Sequence, residues 1–154
     1  MRRRNLLQLA LALTPATLLA ARPQPANADS TADAAKVVYH LSDLDKVDFV
    51  LGNIANHYEG MRSEGPGGPE KVTIALVVHG PALRAFQTAK ATPEMTKRTS
   101  ELVKSGLQPN ACIHTMKGQN VTLADLLPGF IVADKGGVVR LAQLQAQGYA
   151  YLRP

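Results

Sequence analysis

The chain contains no tryptophan, three phenylalanines, four tyrosines and a single cysteine in 154 residues. With so few aromatic rings, the core has to be assembled from Val, Leu, Ile and Ala. A lone cysteine cannot form an intramolecular disulfide. Cys112 is therefore buried and inert, paired with another chain, or a working thiol. Neither a glycine-rich dinucleotide fingerprint nor a P-loop is present, and there is no Cys-x-x-Cys redox pair. No acid–base carboxylate pair can be placed, and nothing in the pattern calls for a cofactor. The apolar run from Leu6 to Ala20 falls short of the roughly 20 residues that a membrane span needs.

That run has another reading. Arg2-Arg3-Arg4 forms a positive start, Leu6 to Ala20 an apolar middle, and Ala26-Asn27-Ala28 an A-x-A cleavage site before Asp29. Together they read as an export signal over residues 1–28. Arg3-Arg4-Asn5-Leu6-Leu7-Gln8 resembles a twin-arginine signal, with an ordinary Sec signal as the alternative. The expected location of the mature chain is the periplasm. Four of the 17 Lys and Arg lie in the signal and all 12 Asp and Glu lie beyond it, which leaves 13 against 12 in the mature part. The basic balance thus belongs to the signal. No cationic face remains for nucleic acid, and no membrane span is expected in the mature chain.

Residues 29–154 suit one domain. Strand patterns fall at Lys36–Leu41, Lys71–Val78, the segment ending at Cys112, Phe130–Ala133 and Tyr149–Leu152. Between them run helical patterns. The first, with Leu44, Val47, Val50, Leu51, Ile54 and Tyr58 on one stripe, starts from a Ser42–Asp45 capping box and stops at Gly60. A mobile loop is expected from Gly60 to Pro69, and a short helical stretch from Ala82 to Thr88. Thr92 and Pro93 start a helix that closes at Gly106, Thr122–Asp125 caps a short turn, and a last helix covers Val138–Gln147. Regular alternation of strand and helix predicts an α/β domain: three compact layers around a mainly parallel five-stranded sheet.

In such sheets ligands bind beyond the carboxyl ends of the strands. His40, His79 and His114 fall in or at the ends of strands, and Cys112 arrives where its strand is expected to give way to a loop. In an extended segment His114 would share a face with Cys112, with Lys117 in the same loop. Basic or hydrogen-bonding neighbours raise the thiolate fraction of a cysteine. Cys112, His114, Lys117 and His79 are therefore the candidate catalytic residues. Gly80 and Gly118 leave room for close approach, and His57 is expected to serve a helix C-terminus.

From Lys36 onward the chain resembles the DsrE/DsrF-like family of sulfur-relay proteins, specifically its small exported branch. The resemblance rests on Val37-Val38-Tyr39-His40-Leu41, on Gly52 to His57, on Val77-Val78-His79-Gly80-Pro81, on Gly106 to Thr115, and on Leu141 to Tyr151. It implies a compact α/β fold with a five-stranded, mainly parallel sheet, and assembly as an oligomer, here a homo-oligomer. It also implies a cysteine after the third strand that carries sulfur as a persulfide between donor and acceptor proteins. Cys112 matches that position. The basic residue and glycine that commonly follow the family's cysteine correspond to Lys117-Gly118.

Two other functions fit the same residues. His40, His79, His114 and Cys112 together would make a soft nitrogen–sulfur site for zinc or copper in a non-catalytic binding module. An oligomeric adaptor in which Cys112 is merely packed is the third reading.

Overall fold

A computed structural model describes residues 35–63 and 72–154 of the chain. The expected export signal at 1–28 and most of the Gly60–Pro69 loop lie outside the described residues. Among the described residues, no helix is long and apolar enough to cross a membrane.

Five strands form one sheet: β1 (Ala35–Leu41), β2 (Val72–Val78), β3 (Gln108–Cys112), β4 (Ile131–Ala133) and β5 (Ala150–Leu152). Their order is β4-β3-β2-β1-β5, and every neighbouring pair is parallel. The expected mainly parallel α/β sheet is thus present and wholly parallel. Central β2 reads Val-Thr-Ile-Ala-Leu-Val-Val, the near-continuous apolar run of a strand covered on both faces. At the edges β4 and β5 have three residues each, which limits the unpaired backbone exposed there.

Among the described residues the α-helices are α1 (Val47–Ser63), α2 (Pro93–Lys104), α3 (Ile113–Gly118) and α4 (Gly137–Ala146). From β1 to β4 the chain steps across the sheet in one direction, then α4 carries it back to β5 on the far side of β1. Parallel crossovers are almost always right-handed, so reversing direction moves the connecting helix to the opposite face. The cores bear this out. Val50 and Ile54 of α1, Leu102 of α2 and Met116 of α3 pack with Val37, Ile74, Leu76 and Ala111. Leu141 and Leu144 of α4 pack with Val38, Ala75 and Val77 on the other face. Each fully buried Val, Leu or Ile contributes about 1.5–3 kcal/mol by leaving water.

Several local expectations need correction. The Ser42–Asp45 capping box does not form. The chain instead enters α1 through a 3-10 turn at Leu44–Lys46, and the Ser42 hydroxyl donates to the Asp43 carboxylate at 3.1 Å. Helix α1 also runs through Gly60 to Ser63. Gly60 is an exposed interior glycine, a cost of about 1 kcal/mol that a long helix absorbs. His57 is consequently mid-helix rather than terminal, and its Nδ1 pairs with the Tyr39 hydroxyl at 3.0 Å. The expected helix at Ala82–Thr88 is a 3-10 segment spanning Gly80–Phe86. By contrast, Thr92 caps α2 as read, its hydroxyl oxygen accepting from the Met95 N–H at 3.1 Å. The Thr122–Asp125 capping box is likewise formed.

Candidate functional site at the carboxyl edge of the sheet

Cys112 is the last residue of β3, paired with Ala133 of β4. From Cys112 the chain passes directly into α3, which sits on the α1–α2 face, whereas β4 leads to α4 on the opposite face. Adjacent strands whose connections diverge leave a crevice between their carboxyl ends. The thiol lies in that crevice, with the residue only 6% exposed.

Because β3 turns into a helix rather than a loop, Cys112 takes the N-cap position of α3 and the extended-segment argument for His114 does not apply. His114 and Thr115 occupy the first turn, with their backbone N–H groups turned toward the sulfur. A third N–H comes from Gly137, the first residue of α4. Burial pushes the Cys112 thiol up. Against this, the Thr115 and Gly137 N–H groups, the Thr115 hydroxyl and the His114 N–H favour the anion, and the net displacement is below the ordinary thiol range. None of these contacts is a full cap hydrogen bond. The Thr115 oxygen accepts from the Gly80 N–H at 2.9 Å, which leaves its own proton free to turn toward Cys112.

Gly136 and Gly137 bring α4 this close. A Cβ on Gly137 would stand 3.3 Å from the Cys112 Cβ and 3.4 Å from the His79 Cβ, so Cys112 and His79 flank one glycine. Gly136 has φ +99°, a conformation that L side chains rarely adopt, and a Cβ there would meet His114 Cδ2 at 2.8 Å. The register of α4 is set by a buried polar contact. Arg140 Nε donates to Asn110 Oδ1 at 2.9 Å, and Asn110 Nδ2 donates to the Gln108 carbonyl at 2.8 Å. Asn110 is fully buried, two residues before Cys112 on the same strand. A hydrogen bond between a charged group and a buried amide contributes about 1.5–3 kcal/mol, most of it visible only when one partner is lost. On the other side, Gln119 Nε2 donates to the Gly80 carbonyl at 2.8 Å while Gln119 Oε1 accepts from Gln87 Nε2 at 2.7 Å, tying the segment after β2 to α3.

The histidines divide. His40 and His79 face each other through their Nε2 atoms in a hydrogen bond, with ring centroids 4.7 Å apart and planes 14° apart. A face-to-face stack would hold the ring atoms at van der Waals separation, so bonded nitrogens mean two nearly coplanar rings meeting edge to edge. The Tyr151 hydroxyl of β5 meets His40 Nδ1 at 2.6 Å. Burial, then the neighbouring His79 and Arg153 charges, push His40 down to about 4, opposed by Asp43. Burial and Arg153 likewise lower His79. Both rings are neutral near pH 7.

The structure thus brings Cys112 and His79 against Gly137, turns the His114 N–H toward the Cys112 sulfur, and joins His40 to His79. The imidazole of His114 is exposed over the turn into α4, and Lys117 is exposed on the last turn of α3. Among the described residues, no three His, Cys, Asp or Glu side chains converge as metal ligands, so the four-residue zinc or copper site does not assemble. Sequence reasoning missed Thr115, Gly137, Asn110, Arg140 and Tyr151. Asn110, a polar residue two positions before Cys112 on the same strand, was the one visible signal among them.

No family model matches the chain, and no curated protein matches it. Solved structures do. The chain is similar to MTH1491 of Methanobacterium thermoautotrophicum, a protein of unknown function, with 26% identity and a TM-score of 0.65 over 78% of this chain and 99% of that one. It is similar to YchN of E. coli at 14% identity and TM-score 0.57, covering 78% and 98% of the two chains. BT1422 of Bacteroides thetaiotaomicron, also of unknown function, matches at 17% identity and TM-score 0.55, over 82% and 100%. These likenesses show that the chain has the DsrE/TusD-like fold.

Proposed function

We propose that this protein is an exported sulfur-handling protein that carries sulfur as a persulfide on Cys112. The observation that carries the reading is the cradle at the end of β3. A buried thiol sits where N–H groups from two helix starts and the Thr115 hydroxyl outweigh the cost of burial and favour its anion. A thiolate is the form that attacks sulfur. In loading, the Cys112 thiolate attacks the terminal sulfur of an inorganic polysulfide. A new sulfur–sulfur bond forms, the donor's bond breaks, and the shortened polysulfide leaves with the electron pair. The same N–H groups then face the Cys112 persulfide anion. In unloading, an acceptor thiolate attacks the outer sulfur and Cys112 departs as the thiolate, so the cycle consumes no oxidant.

The resemblance to sulfur-relay proteins and the shared fold support this chemistry. The arginine-led apolar stretch at 1–28 supports a periplasmic site of action, and the family resemblance supports homo-oligomer assembly with donor and acceptor partners. Exposure of the protein to polysulfide, followed by intact mass with and without a thiol reductant, tests the central step. Gain of one sulfur mass, reversed by reductant and lost in Cys112→Ser, is expected. The reductant separates persulfide from sulfinic acid, whose nominal added mass is the same but which does not reverse. Failure of a reduced Cys112 to load, together with slow thiol labelling that accelerates only on unfolding, overturns the reading in favour of a packed cysteine. Recovery from a periplasmic fraction of a chain beginning at Asp29 is the expected result for export.

A further inference from the structure

Tyr151, His40 and His79 form an unbroken hydrogen-bonded row from β5 across β1 to the residue after β2. At one end Tyr151 is 40% exposed to solvent. At the other, the His79 Cβ lies against the same glycine as the Cys112 Cβ. His79 Nε2 is committed to His40, which leaves Nδ1 as the ring nitrogen with no hydrogen-bond partner among the described residues. The charged groups facing the row are Arg153 and Asp43, joined to each other at 3.5 Å.

We propose that this row is a proton wire that connects solvent at Tyr151 to the Cys112 crevice through His79, with His40 and Tyr151 as its positioning residues. The inference rests on Cys112 acting as a nucleophile toward sulfur.

Two neutral arrangements of the row exist, because each nitrogen–nitrogen or nitrogen–oxygen contact holds one proton. In the first, the Tyr151 hydroxyl donates to His40 Nδ1, His40 Nε2–H donates to His79 Nε2, and His79 carries its proton on Nδ1. In the second every donor has become an acceptor, and His79 Nδ1 is bare. Burial disfavours an imidazolium at either ring. An imidazolate is also inaccessible at neutral pH. His79 therefore releases its Nδ1 proton to a departing thiolate only as His79 Nε2 gains one from His40. His40 Nδ1 takes the Tyr151 proton in turn, and Tyr151 is refilled from water. One proton enters at the tyrosine and one leaves at Nδ1, with no net charge deposited on either ring.

The requirement is specific to leaving groups that need a proton, and that supplies a test independent of sulfur loading. Single-turnover attack of Cys112 on two disulfides is compared: an aliphatic one with a strongly basic leaving thiolate, hydroxyethyl disulfide, and an aromatic one with a weakly basic leaving thiolate, thionitrobenzoate disulfide. In Tyr151→Phe the aliphatic rate is expected to fall on the order of tenfold or more relative to the aromatic rate, with a parallel loss of the solvent deuterium effect on the aliphatic reaction. His40→Gln should give the same change in ratio. An unchanged ratio overturns the wire, and so does equal slowing of both reactions, the mark of a purely structural role. Nitrogen-15 spectra of the imidazoles supply a readout that does not involve Cys112. Neutral His40 and His79 coupled through one Nε2 proton at pH 7 are expected, and two uncoupled rings refute the wire even if Cys112 carries persulfide.

Discussion

The two faces of the sheet are built to different standards. Under α1, α2 and α3, twenty-two buried apolar residues form one continuous core. Under α4, among the described residues, only Val38, Ala75, Val77, Leu141 and Leu144 do so. Next to that small cluster lie Asn110 and Cys112 of β3, with His79 against the first residue of α4. Burying a polar group is costly where its surroundings are apolar, as for the Tyr58 hydroxyl and Asn53 amide of α1, buried without partners among the described residues. The groups with chemistry collect under α4, where polar partners take over. The broad face holds the fold, and the narrow face holds the thiol.

Substitutions that act on one face and not the other sharpen this division. The largest expected effect belongs to the broad face. Ile54→Ala removes a fully buried side chain and should cost about 2–5 kcal/mol in urea unfolding. The pH dependence of Cys112 alkylation in the protein that remains folded should not move, and a shifted thiol titration would break the comparison. Next comes the anchor of α4. Arg140→Met leaves Asn110 Oδ1 buried without its donor, a cost of about 1–3 kcal/mol. Loosening the Gly137 N–H should also raise the thiol titration toward the ordinary range. An unchanged titration would mean that α4 does not set the anion's environment.

Gly137→Ala is a finer probe. Its Cβ would press on Cys112 and His79 at 3.3 and 3.4 Å, tighter than ordinary contact. Displacement of the α4 start should raise the thiol titration while costing only about 1 kcal/mol of stability. Alkylation rate against pH, alongside thermal unfolding, separates the two. The smallest effect is on pH stability. His40 titrates near 4 when folded and near 6.5 when unfolded, so the unfolded chain binds the extra proton between those values. Stability should be complete above about 6.5 and fall as pH drops toward 4. Screening at a partly exposed site limits the loss to on the order of 1 kcal/mol. His40→Gln should flatten that slope, and an unchanged slope would place the titration elsewhere.

The sheet was legible because β1, β2 and β4 are short, largely apolar runs set off by glycine, proline or a capping residue, whereas β3, Gln-Pro-Asn-Ala-Cys, was placed by the helix stop at Gly106 before it. Runs such as Val72–Val78 leave no helical period to compete. Cys112 and the strand-end histidines were legible for the same reason, since strand ends follow from strand limits. What could not be read was anything that depends on strand order. Gly137 reaches the thiol and Arg140 reaches Asn110 because β5 returns beyond β1 and sends α4 across the opposite face, and Tyr151 meets His40 by the same return. Sequence distance hid these contacts: the Tyr151–His40 pair spans 111 residues. The start of α3 at Cys112 was hidden differently. Ile113-His114-Thr115 carries two β-branched residues that favour extended backbone, and packing of Met116 beneath the sheet overrides that preference.

Assembly of the crevice from distant segments also ties it to the native state. Cys112 and the first turn of α3 are neighbours in sequence, but Gly137 reaches the sulfur only where α4 is packed on the sheet. Without that packing the thiol lacks one of its three N–H groups and Arg140 does not reach Asn110. Its lowered titration therefore belongs to the native packing of α4, and the unfolded chain carries an ordinary cysteine, slower to react with the sulfur compounds around it.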